Sequence, residues 1–82
     1  MTYACPCCRN LTLSEQPPGT YEVCPVCYWE DDPVQFDDEE YEGGANSVSL
    51  KQARQNYQAF GACSEDVRAD VRKPTADEAP QN

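Results

Sequence analysis

Leu11-Thr12-Leu13 and Thr20-Tyr21-Glu22-Val23 are short segments of alternating apolar and polar residues, the pattern of half-buried strands, and Pro18-Gly19 between them supplies a turn. The spacing predicts a β-hairpin joined through Ser14 to Gly19. Further along, the period changes. Leu50, Ala53, Tyr57 and Phe60 recur at steps of three and four, so they share one face of a helix that should pack on the hairpin. Ser49 stands where an N-cap hydroxyl belongs, three residues before Gln52, and Gly61 stands where a helix ends in the left-handed region. Val67 and Val71, one turn apart behind Ser64-Glu65-Asp66, predict a second short helix that stops before Lys73-Pro74. The polar, proline-containing stretch 74–82 is predicted to be a disordered tail, leaving residues 1–73 as a single domain.

Cysteine chemistry adds what a core this small lacks. Cys5-Pro6-Cys7-Cys8 and Cys24-Pro25-Val26-Cys27 are two Cys-Pro-x-Cys turns, with fifteen residues between Cys8 and Cys24, the spacing of a four-thiolate zinc site. Each tight turn presents two sulfurs on one side, and proline after the first cysteine sets φ for the turn without leaving an N–H unpaired. The predicted ligands are Cys5, Cys8, Cys24 and Cys27 around one zinc ion; Cys7 occupies the slot that Val26 fills in the second turn and is surplus. Four protein ligands leave no open position, and the chain has no histidine to act as a base, so the expected metal is structural. Disulfides are the alternative use of six cysteines. Against them, Met1-Thr2-Tyr3-Ala4 has neither the basic nor the apolar character of an export signal, and no apolar run is long enough to span a membrane. A reducing, cytoplasmic setting is expected. The predicted fold class is a small metal-bound α+β domain, a zinc-ribbon or knuckle hairpin packed against one or two C-terminal helices. At this size a metal contributing about 10–16 kcal/mol of apparent binding free energy decides whether the chain folds.

The net charge of −9 sits in one half of the chain. Residues 1–49 hold ten acids against Arg9 alone, whereas residues 50–82 hold five acids and five bases. Phosphate recognition needs the opposite sign, so nucleic acid is not an expected partner. Eight acids fall within the thirteen residues from Glu30 to Glu42, without a base among them. They do not fit a calcium loop, which needs acids at alternate positions and a central glycine. A contact surface for a basic protein fits better, made from Trp29, Glu30, Asp31, Asp32, Phe36, Asp37, Asp38 and Tyr41. Trp29 has a second expected role, covering the metal site from water.

Taken together, Cys5-Pro6-Cys7-Cys8, Pro18-Gly19-Thr20-Tyr21-Glu22-Val23-Cys24-Pro25-Val26-Cys27, Trp29-Glu30-Asp31-Asp32, Gly43-Gly44-Ala45-Asn46 and Val48-Ser49-Leu50 resemble the bacterial cysteine-rich CPCC family. The resemblance runs from about Tyr3 to Pro74, with Arg9 where the family usually has glycine. It implies a small zinc-ribbon-like bacterial protein and brings no defined activity with it. The expected function is therefore non-enzymatic: a zinc-stabilised interaction module with an acidic surface for a basic partner, as immunity to a cationic toxin or an antitoxin or adaptor role would require. The alternative is thiol-redox or zinc-handling chemistry using Cys7 and Cys63, although Cys63 has no adjacent base to lower its pKa and Cys7 lies in the anionic half of the chain, which should raise its own. A hydrolase using Asp31 and Asp32 for a second metal is the weakest reading, because no nucleophile arrangement accompanies them.

Overall fold

Each Cys-Pro-x-Cys turn is the tip of its own chain reversal. In the computed structural model, which describes residues 2–80, strand β1 (Tyr3–Ala4) pairs antiparallel with β2 (Leu11–Leu13), Tyr3 opposite Leu13 and Ala4 opposite Leu11. The second turn lies between Val23 and Glu30, which form a single antiparallel bridge. The two tips are closed by the same bonds. Cys5 N–H donates to the Asn10 carbonyl (2.9 Å) and Arg9 N–H to the Cys5 carbonyl (2.9 Å); Cys24 N–H donates to Trp29 (3.0 Å) and Tyr28 N–H to Cys24 (2.7 Å). Arg9 and Tyr28 take the left-handed conformation, at φ 70° and 71°, and this doubles the chain back at once.

That reversal corrects the predicted hairpin. Leu11–Leu13 does not pair with Thr20–Val23, because the left-handed residue after each ligand pair turns the chain onto the segment just before it. Ser14 to Gly19 becomes a connector, anchored by Ser14 N–H donating to the Glu22 carboxylate at 3.0 Å.

Two helices follow. The short α1 (Pro33–Asp37) was not expected; Asp32 caps it, accepting from the N–H groups of Val34 (2.8 Å) and Gln35 (3.3 Å), and Pro33 occupies the first turn. The longer α2 (Leu50–Phe60) has the predicted ends: the Ser49 hydroxyl accepts from Gln52 N–H at 3.1 Å, and Gly61 closes the helix at φ 81°. Only half of the capping box forms, since the Gln52 amide reaches forward to Asn56. Leu50 and Ala53 are buried and Tyr57 packs against the core, but Phe60 lies outside it, beneath the Arg68 guanidinium 4.7 Å from its ring centre. The second predicted helix shrinks to one 3-10 turn, Glu65–Val67. Its intended cap fails because the Ser64 hydroxyl bonds the Asp66 carboxylate instead of a backbone N–H.

Within the expected tail, Thr75 caps a 3-10 turn at Ala76–Glu78, which lies against β2. Arg72 holds it by two bonds of 2.8 Å to Glu78. Gln81 and Asn82, the end of that tail, and Met1 lie outside the described residues. The core gathers where the two knuckles meet α2: Leu13, Val26, Trp29, Leu50 and Ala53 pack with the cysteines. Arg54 Nε donates to the Pro6 carbonyl (3.0 Å), Asn10 donates to the Tyr57 hydroxyl (3.0 Å), and Cys63 N–H donates to the Cys27 carbonyl (2.8 Å). These bonds fix the helix and the chain after it to the knuckles.

Candidate metal centre

The two knuckles bring their thiols face to face. Cys5, Cys8, Cys24 and Cys27 place their sulfurs within 4.8 Å of one another, with Cys5 to Cys27 at 3.6 Å and Cys8 to Cys24 at 3.7 Å. A disulfide needs about 2.05 Å. A tetrahedron of thiolates around zinc, with bonds of about 2.3 Å, has edges of about 3.8 Å, which these separations approach. The donor set and its spacing fit a thiophilic metal ion. Cys5, Cys24 and Cys27 are fully buried and Cys8 is 6% exposed, so the cluster is closed to solvent. Cys7 points into the same core, at 4% exposure, without joining the group of four.

The thiols also compete for charge. Cys24 is held far below the ordinary thiol value, first by the hydrogen bond with Cys27, then by Cys5, Cys8 and the Thr12 hydroxyl. Cys27 and Cys5 are pushed up, each first by its hydrogen bond with Cys24. Cys8 is also lowered: Cys24 and burial push it up, but the bonds with Cys27 and Cys5 outweigh them. Two of the four thiols thus ionise more readily and two resist, the behaviour expected of packed sulfurs that need a cation to ionise together. Thr12, missed by sequence reasoning, donates from β2 to the Cys24 sulfur at 3.0 Å. Its only signal was its place between two apolar strand residues.

The sequence matches the cysteine-rich CPCC family over residues 3–78. The chain belongs to the cysteine-rich CPCC family. Among curated proteins, none matches it significantly. In this CPCC chain the polar residues after the second knuckle serve the fold more than the surface, which corrects part of the predicted partner site. Trp29 is fully buried in the core that contains the four cysteines, which removes it from the surface. Asp31 is also fully buried; its carboxylate accepts from the Thr20 N–H (2.9 Å) and hydroxyl (2.8 Å). Asp32, 6% exposed, caps α1 and accepts from Ala45 N–H at 2.8 Å. Unpaired backbone N–H groups draw these acids inward.

Two buried amides complete the arrangement. Asn46 accepts from Glu30 N–H (2.8 Å) and donates to the Glu30 carbonyl (2.8 Å) and to Gln35 (2.9 Å), while Gln35 donates to the carbonyls of Tyr41 (3.1 Å) and Val48 (2.9 Å). Gly44 is pressed against this network; a Cβ there would stand 2.5 Å from Gln35 and 2.7 Å from Asp32. The acidic surface that remains consists of Asp37, Asp38, Glu39, Glu40 and Glu42, with Phe36 and Tyr41 exposed among them and Glu30 half-buried. Glu39 alone of these pairs with a base, Arg54, at 3.0 Å among the described residues. No helix among the described residues is long and apolar enough to cross a membrane.

Proposed function

We propose that this CPCC chain is a non-enzymatic interaction module, held together by one structural zinc ion and offering an acidic face to a basic protein partner in the manner of an immunity protein or antitoxin. The carrying observation is the closed cluster of Cys5, Cys8, Cys24 and Cys27, whose burial suits a metal that joins two knuckles rather than one that receives a substrate. Bound zinc would supply the positive charge that lets the four sulfurs ionise together. The exposed acids from Asp37 to Glu42 then form a field that steers a cationic partner inward, with Phe36 and Tyr41 as apolar contacts.

Native mass spectrometry beside a denatured, alkylated control tests the metal. One zinc per chain with six free thiols on denaturation is expected; no zinc with paired cysteines overturns the reading. For the partner, the expected result is a basic protein whose Kd rises steeply with salt, and salt-independent binding counts against the acidic face. The thiol reading draws less support. Cys63 is 2% exposed, and burial pushes its thiol up to about 12, so little reactive thiolate exists near neutrality. Cys7→Ser is expected to keep both zinc and partner binding.

A further inference from the structure

Beside the second knuckle lies a cavity of about 230 Å3, with Val23, Tyr28 and Val67 as apolar walls and Glu30, Ser47 and Asp66 as polar ones. Val23 and Tyr28 are 41% and 40% exposed, so the mouth is open to a partner. The cavity is built from fixed pieces. Both backbone groups of Glu30 are held by Asn46, and its carboxylate forms no ion pair among the described residues. The Asp66 carboxylate accepts from the hydroxyls of Ser47 (3.2 Å) and Ser64, neutral donors that orient it without cancelling its charge. No lysine or arginine lines the cavity. A half-buried carboxylate, Glu30, and an exposed one, Asp66, neither in an ion pair among the described residues, beside apolar walls suit a ligand with an aliphatic stem and a cationic head.

Resting on the acidic-face reading above, we propose that this cavity is the socket for an arginine side chain of the basic partner. Arginine fits better than lysine. Its planar guanidinium can serve two carboxylates at once and stack on the Tyr28 ring, while the methylene stem lies against Val23 and Val67. The socket is also joined to the metal centre: Tyr28 follows Cys27 directly, and Cys63, on the cavity wall, donates its N–H to the Cys27 carbonyl. Partner recognition therefore depends on the knuckle being folded around its metal.

The test is a 1H–15N NMR titration of the zinc-loaded chain with N-acetyl-arginine amide and with its neutral counterpart, N-acetyl-citrulline amide. Arginine is expected to shift the amides of Val23, Tyr28, Ser47 and Val67, and citrulline to bind about tenfold more weakly or worse. Glu30→Gln combined with Asp66→Asn should abolish the response while leaving the rest of the spectrum in place, because both substitutions keep shape and hydrogen-bond acceptors. Equal responses to the two probes, or an undiminished response in the double variant, overturn the socket. Shifts confined to Asp37 through Glu42 also overturn it but leave the acidic face standing. No shift anywhere up to about 10 mM arginine probe overturns the socket as well. A basic protein that still binds with steep salt dependence then shows that the broader reading survives.

Discussion

Single side chains decide the metal centre more than the spacing of its ligands suggests. Thr12 adds a hydroxyl to the Cys24 sulfur, and outer partners of this kind tune ligand charge. Thr12→Val, similar in shape, is expected to lower zinc affinity about tenfold in competition with a chelator, with an unchanged circular dichroism spectrum at saturating zinc. Gly44 is governed by space. Its missing Cβ leaves room for Gln35 and Asp32, so Gly44→Ala should destabilise the metal-loaded chain by about 1–3 kcal/mol in denaturant unfolding. An unchanged midpoint would show that the amide network yields easily. The four clustered cysteines were legible as residues because thiol spacing is a local property. Asp31 and Asp32 were not, since apart from the Thr20 hydroxyl their partners are backbone N–H groups, of Thr20, Val34, Gln35 and Ala45, which no side-chain pattern announces.

The elements divide in the same way. Helix α2 could be read from its stripe and both ends, because Ser49, Gln52 and Gly61 act within one turn of the positions they cap. Strand pairing could not. The partner of Leu11–Leu13 is chosen by the left-handed backbone at Arg9, a conformation that glycine would have signalled and arginine does not. Helix α1 is only five residues long, too short for a period, and its signal, Asp32 before Pro33, was absorbed into the acidic run. Removing that cap by Asp32→Ala should cost about 1–2 kcal/mol, with Asp32→Asn recovering part of the loss. The bond from Ala45 N–H, followed by those from Val34 and Gln35, holds the Asp32 carboxyl below its ordinary value against the opposing effect of burial. A folded-state value below the unfolded one means that this stabilisation is present above the ordinary carboxylate range and is lost as pH falls through the folded value. The stability gap between wild type and Asp32→Asn should accordingly narrow in acid, as measured by chemical unfolding at a series of pH values.

For the whole molecule, the proposed metal would carry the main dependence. The paired strands are two and three residues long, too little ladder to hold two knuckles together without help. Chelation of zinc is therefore expected to unfold the chain, seen as loss of the α2 signal in circular dichroism and restored by added zinc; a helix that survives chelation would show that the core suffices alone. Acid should act in the same direction, because protonated thiols release the ion. The turn at Ala76–Glu78 brings a different consequence. It rests on β2, which is itself paired with β1, so the first and last elements of the described chain share β2 as a neighbour. Meanwhile the connector from Ser14 to Gly19 lies mostly on the surface between the knuckles. Joining the old termini with a short flexible linker and opening the chain within that connector yields a circular permutant in which each knuckle keeps its own pair of thiols. Such a permutant should bind one zinc and fold, with the order of the two knuckles along the polypeptide exchanged.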